Sequence, residues 1–166
     1  MGQKRIVQLF FEEPSRNFGI REIAKLAKVP KTSVSRHLKG LLKEELITRG
    51  KGGYAGNDAN PFFKVCKKMH FLEESAKSGI IEFLQEKLYP RCIVLFGSFA
   101  KGEYVKSSDI DLFIQAKEKR VDLGAFEKKL RHKVSLFFEE KFENLSDELF
   151  NNIINGIKLG GYIKLR

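Results

Sequence analysis

Apolar positions in the first 45 residues recur at helical spacing. Ile6, Val7, Leu9, Phe10 and Phe11 share a face over residues 4–13, and Pro14 ends that stretch. A second helix opens at Phe18-Gly19-Ile20, with Ile20, Ile23, Ala24, Leu26 and Ala27 on one side and Val29-Pro30 as its stop. A third runs from about Lys31 to Glu45 with Val34, Leu38, Leu41 and Leu42 inward. The pattern then shortens to a strand at Leu46-Ile47-Thr48-Arg49, a Gly-rich loop from Gly50 to Tyr54, and a second strand at Phe62-Phe63-Lys64-Val65. A hairpin loop reaching Pro61 is long, which predicts a mobile tip.

Helical spacing returns over residues 66–90. Cys66, Met69 and Leu72 form one face, and Ile80, Ile81, Phe83, Leu84 and Leu88 form another, ended by Pro90. Gly79 either separates two helices or bends one, and Ser75 and Ser78 are candidate N-caps. The apolar run Arg91–Leu95 has strand length, and Asp109–Ile114 alternates as a strand does. A helix is predicted over Val121–His132 (Leu123, Phe126 and Leu130 inward) and a strand over Lys133–Glu140. A capped helix follows from Ser146 to Leu159, then a Gly160-Gly161 break and a short strand at Tyr162–Leu165. The class is α+β. The expected division is a first domain at 1–66, a connecting helix at 67–78 and a second domain at 79–166.

Charge sharpens that division. The 166 residues carry a net charge of +10. Residues 1–70 hold 15 Lys and Arg against 6 Asp and Glu, whereas residues 71–166 hold 16 against 15. An excess confined to one segment points to an anionic partner for that segment alone. A hydrophobic content of 42% supports packed cores and excludes a disordered chain. No apolar run approaches the ~20 residues of a membrane span, and Glu12, Glu13 and Pro14 interrupt any signal-peptide pattern. Ile6 stands where a myristoylation signal has Ser or Thr. Cys66 and Cys92 read as buried free thiols of a reducing compartment, so a cytoplasmic location is expected. With no CxxC and scattered His37, His70 and His132, no zinc site is expected.

In the basic segment, Lys31, Thr32, Ser33, Ser35, Arg36 and Lys39 lie on the third helix opposite its apolar stripe. Arg49 and Lys51 lie on the strand and loop after it. Thr32–Leu38 with Leu41–Ile47 resembles the recognition helix of bacterial and archaeal winged helix-turn-helix regulators, over about residues 4–65. The resemblance implies DNA as partner. Arg36 can donate two hydrogen bonds to a guanine, while Lys39, Arg49 and Lys51 meet phosphates. A merely solvated basic face is the alternative.

The chemistry lies further on. Asp109 and Asp111 share strand parity, so both carboxylates point to one face, about 7 Å apart along the strand. Such a pair suits Mg²⁺, which takes hard oxygen ligands together with substrate phosphates. The turn Gly97-Ser98 suits the phosphates themselves: Gly97 has no Cβ to block approach, and the following N–H groups and the Ser98 hydroxyl are donors. Lys101 is either a phosphate contact or a solvated helix lysine. Leu95-Phe96-Gly97-Ser98-Phe99-Ala100-Lys101-Gly102 with Ser108-Asp109-Ile110-Asp111-Leu112 resembles the minimal nucleotidyltransferase branch of the polymerase-beta-like superfamily, over about residues 79–166. The resemblance implies a two-metal Mg²⁺ site on Asp109 and Asp111 and a nucleoside triphosphate as substrate or ligand. It also implies attack of an acceptor hydroxyl on the α-phosphorus, with pyrophosphate leaving.

One position departs from that family. Its third carboxylate falls on Val134-Ser135-Leu136, where this chain has Ser135. Glu139 shares the parity of Ser135 but lies about 13 Å further along the strand. Glu140 points to the other face, and Asp122 reads as a helix cap. Two functions stay open: nucleotidyl transfer, or a transcriptional regulator whose second domain senses nucleotide or dimerises without catalysis. A homodimer through the Cys66–Leu72 face and a partner protein are further candidates.

Overall fold

The computed structural model describes residues 2–164. The chain divides into two compact units, Met1–Lys67 and Lys68–Arg166. In the first, α1 (Gly2–Glu12), α2 (Ile20–Ala27) and α3 (Lys31–Lys43) precede an antiparallel hairpin of β1 (Ile47–Gly50) and β2 (Gly53–Gly56). The helical stripes do what their spacing requires. Ile6, Phe10, Phe11, Ile23, Val34, Leu38 and Leu41 are buried together with Phe18 and Phe63. A three-residue turn separates α2 from α3. Lys28 turns left-handed (φ 53°) and donates its N–H to Ala24 O, and Pro30 precedes the first residue of α3. Phe18 pairs with Tyr54 through N–H···O bonds of 2.8 and 3.0 Å, which ties the hairpin to the α1–α2 connection.

The hairpin differs from expectation. Gly50 faces Gly53, leaving only Lys51-Gly52 as the turn. Residues 62–65 are not a strand; they open α4 (Pro61–Ser78). Local chemistry explains the switch. Pro61 occupies a first helical position, where its missing N–H costs nothing, and Asn60 Oδ1 accepts the Phe62 N–H at 3.0 Å. The amides of Asn57 and Asn60 also donate to Glu45 O at 2.8 and 3.1 Å, fastening the hairpin's exit to the end of α3.

The helix α4 is one element and ends at Gly79, which separates it from α5 (Ile80–Leu88). Ser75 is no N-cap, since it lies inside α4. Ser78 Oγ donates to Ser75 O and accepts the Ile80 N–H at 3.2 Å. The face proposed for a dimer is largely committed elsewhere. Cys66 packs on the first core and Leu72 on the second, and only Met69 stays well exposed. Cys66 and Cys92 are both free, but only Cys92 is fully buried.

The second unit continues with β3 (Cys92–Phe96), α6 (Gly97–Lys101), β4 (Ile110–Ile114), α7 (Gly124–Leu130), β5 (Val134–Phe138), a single 3₁₀ turn at Phe142–Asn144, α8 (Asp147–Ile154) and β6 (Ile157–Gly161). The sheet order is β5-β4-β3-β6, with β4 and β5 parallel and the other pairs antiparallel. Every residue of the central strand β3 is buried, as a near-continuous apolar run requires. One face of the sheet packs Ile93, Leu95, Ile110, Leu112 and Ile114 against Leu84, Leu88 and Leu130. The other packs Val94, Phe96 and Phe113 against Phe142 and Ile153.

Two predicted boundaries move. The helix α7 is shorter than residues 121–132 because Asp122 Oδ1 accepts the Gly124 N–H at 2.9 Å and starts it there. Ser146 caps α8 through Leu149 N–H, but the helix stops at Ile154, and residues 157–161 form a strand instead of its last turn. Gly156 permits this: a Cβ there would strike Leu95 O, so only glycine lets the chain pass against β3. The strand expected at 162–165 does not form over residues 162–164, the expected break at Gly160-Gly161 lies inside the strand at 157–161, and Leu165 lies outside the described residues.

Phe99 is 1% exposed and stacks on Tyr104 with centroids 4.1 Å apart. Phe99→Ala should cost about 3–5 kcal/mol in urea denaturation followed by circular dichroism. Phe62→Ala, at a half-exposed position of α4, should cost about 1 kcal/mol or less.

Candidate active site

The site is built by alternation along β4. Ile110, Leu112 and Ile114 fill one core, so Asp111 and Phe113 fall on the opposite face, and Asp109 precedes the strand with the same parity. Phe113 is covered by Phe142, with ring centroids 5.5 Å apart. Nearer the start of the strand the cover ends, leaving Asp111 half-buried and Asp109 exposed. Burial raises the Asp111 pKa above the ordinary carboxylate value, and the charge of Asp109 raises it further. The two carboxylates therefore share one electrostatic environment.

Asp111 sits between Phe96 on β3 and Ser135 on β5. The parallel register thus puts Ser135 directly beside Asp111. Glu139 and Asp122 are engaged elsewhere. Glu139 Oε1 accepts from the Glu140 and Lys141 N–H groups and from Asn144 Nδ2, and these bonds, the Lys141 N–H foremost, lower its pKa. Asp122 is spent on the start of α7. Among the described residues, no three His, Cys, Asp or Glu side chains cluster as a metal site.

Gly97 follows β3 at the first residue of α6, with φ 69°. A Cβ there would collide with Asp111 Oδ2. The backbone angle demands glycine, and the turn at Gly97 lies against the Asp111 carboxylate. Ser98 is half-buried and Lys101 exposed on the same short helix. The structure thus brings together Gly97, Ser98 and Asp111, with Asp109 adjoining. Lys101 is one helical turn on from Ser98.

His132 is a residue that sequence reading passed over. It is 8% exposed, and its Nδ1–H donates to Ser108 O at 2.8 Å. Its ring meets Phe99 edge-on at 4.9 Å and Tyr104 at 5.9 Å. One residue later, Lys133 O accepts the Ile110 N–H at 2.8 Å. The backbone on each side of Asp109 is therefore held by consecutive residues 132 and 133. Only an apolar neighbourhood at residues 99 and 104 could have signalled this, and those residues adjoin His132 through folding, not spacing.

In the first unit, Lys31, Thr32, Ser35, Arg36 and Lys39 are exposed along α3, and Ser33 is half-buried. Arg49 is exposed on β1 with its guanidinium 5.7 Å from the Tyr54 ring centroid, and Lys51 lies in the hairpin turn. These residues all belong to the first unit.

Among the described residues no helix is long and apolar enough to cross a membrane. No curated protein matches the chain. Residues 78–159 do match the family model of polymerase beta, nucleotidyltransferase, and the glycine-serine turn and the carboxylate pair both lie inside the matched stretch.

Proposed function

We propose that the second unit binds a nucleoside triphosphate with Mg²⁺ and transfers its nucleotidyl group to an acceptor hydroxyl, and that the first unit is a winged helix-turn-helix that binds DNA. The observation carrying the first half is the packing of Gly97 against Asp111, which sets phosphate donors and metal ligands side by side. The residues suit a divalent cation: Asp109 and Asp111 repel each other and Asp111 is partly desolvated, a cost that a cation between them offsets. When bound, Mg²⁺ would neutralise phosphate charge and polarise the phosphoryl group. The chain's own residues do the rest. Ser98 Oγ and the N–H groups after Gly97 donate to a phosphate oxygen, and Lys101 reaches the same anion from the helix. His132 keeps Asp109 aimed by holding Ser108 O.

Ser135 favours a second reading. A hydroxyl is a weak metal ligand and no proton acceptor at neutral pH, so the site lacks the group that would take the acceptor's proton. In this reading the domain binds nucleotide without transferring it, and the protein is a regulator. For the first unit, the supporting observations are three helices with a short α2–α3 turn, a two-residue hairpin turn, and an exposed basic row on α3. The fold alone does not choose a partner; the +9 charge of residues 1–70 favours nucleic acid.

Incubation with α-labelled nucleoside triphosphates, Mg²⁺ and candidate acceptors separates the two readings. Transfer should disappear in Asp109→Ala and Asp111→Ala, and Mg²⁺ binding should weaken at least about 10–100-fold, the loss already typical of groups one layer beyond the ligands. Ser135→Asp should raise the transfer rate. Mg-nucleotide binding without transfer in the wild type establishes the sensor reading, and transfer that survives both alanine variants refutes this site.

The raised Asp111 pKa has a consequence for stability. A carboxyl whose folded pKa lies above its unfolded one lowers stability as pH rises from the unfolded value through the folded value. Asp111→Asn should therefore raise the melting temperature at pH 7 without metal. The gain should vanish below about pH 4, where the unfolded carboxyl also holds its proton. Thermal melts across pH check this.

On DNA, Lys39→Gln should reduce the slope of log affinity against log salt by about 1, uniformly across sequences. Arg36→Gln should cost about 1–3 kcal/mol at the preferred site and relax base preference. Fluorescence anisotropy in a salt series measures both, and unchanged affinity would exclude the α3 face.

A further inference from the structure

A cavity of about 330 Å³ lies at the end of the sheet away from the carboxylate pair, in the same unit. Tyr89 and Arg91 line it from the connection between α5 and β3, Gln115 and Lys117 from the end of β4, and Glu140 and Lys141 from the segment after β5. Gln115 is four residues beyond Asp111 along an extended segment, roughly 13 Å away. The cavity is therefore separate from the carboxylate pair.

Its charge is locally unbalanced. Arg91, Lys117 and Lys141 are exposed and converge on it, and among the described residues none of the three forms a salt bridge. Glu140 is the one carboxylate in the lining. This contrasts with the near neutrality of residues 71–166 as a whole. Three like charges around one hollow repel one another, Lys141 being partly offset by Glu139, and an anion inside it removes that repulsion. Arg91 adds a planar fork that matches phosphate oxygens in pairs.

Two further features select among anions. Tyr89 is 84% exposed at the left-handed C-cap of α5, where its N–H donates to Gln85 O at 3.1 Å, directly before Pro90. An exposed aromatic at the cavity, held by the helix cap, is suited to stacking on a flat ring. Gln115 is 7% exposed. Its Nε2 donates to Glu140 O at 3.1 Å, and its Oε1 accepts a weak bond from Cys92 Sγ at 3.5 Å. These bonds fix the amide and use one of its two N–H donors. Glu140 supplies an acceptor for a sugar hydroxyl. The volume stands at the small end of ligand cavities, about 300–1,000 Å³.

We propose that this cavity is a second nucleotide site. It would take a nucleoside monophosphate without a divalent cation, with phosphate on Arg91, Lys117 and Lys141 and base on Tyr89. It neither needs nor reports on the Mg²⁺ site.

The test uses the full-length chain with Asp109→Asn and Asp111→Asn, in EDTA, titrated calorimetrically with AMP, ribose 5-phosphate and inorganic phosphate. AMP should bind at one site per chain. Combined Arg91→Gln, Lys117→Gln and Lys141→Gln should weaken it at least tenfold while leaving the circular dichroism spectrum unchanged. Tyr89→Ala should weaken AMP about tenfold, as loss of one stacked base does, and leave ribose 5-phosphate unaffected. Absence of AMP binding in the carboxamide variant overturns the proposal, as does binding indifferent to the three cations. Inorganic phosphate or ribose 5-phosphate binding as tightly as AMP overturns the nucleotide assignment.

Discussion

The register of β4 against its two neighbours governs the functional half of this protein. Ile110, Leu112 and Ile114 must face the core formed with α5 and α7, because exposing three large aliphatic side chains would cost several kcal/mol. That requirement turns Asp111 to the other face, between Phe96 and Ser135. A one-residue slip would bury the carboxylate among Leu84 and Leu95 and turn the aliphatic set to the face that Phe142 and Ile153 cover only in part. Hydrophobic burial therefore aims the acidic pair, and the electrostatic cost of placing it beside Asp109 is borne by the packing of the sheet.

The surroundings reinforce that aim from three sides. The glycine at 97 brings the turn after β3 against Asp111 Oδ2, where any side chain would intrude. The bonds from His132 to Ser108 and from Ile110 to Lys133 hold the backbone flanking Asp109. Behind them, Phe71, Phe99 and Tyr104 pack ring on ring. A polar site at the rim of a sheet is thus carried on an aromatic base that excludes water from the loop supports. The unit's other charged feature, the cation-lined hollow at the far end of β4, rests on the same strand but draws on loop residues.

Much of this was legible in the chain. Helical stripes such as Val34, Leu38 and Leu41 are local, since each residue's face follows from a period of 3.6, and they fold as read. The Gly-Ser turn and the alternating Asp109–Ile114 segment are equally local. Of the misread segments, one turns on a local cap and the other on a long-range pairing. Phe62–Val65 has β-like residues, yet Pro61 and the Asn60 cap start a helix whose Phe63 joins the first core. Residues 157–161 continue a helical stripe, yet they pair with the exposed edge of β3, where backbone hydrogen bonding outweighs one more helical turn.

By itself the sequence determined the charge division, the order of elements in each half, and the pairing of a Gly-Ser turn with two carboxylates of one parity. These follow from composition and short-range periodicity. Only the tertiary structure decided that Ser135 stands beside Asp111, that His132 supports the loop before Asp109, and that Arg91, Lys117 and Lys141 meet around one hollow. Each of those meetings joins residues more than 20 positions apart. Such proximity arises from strand register and the packing of separate elements, and no local pattern encodes it.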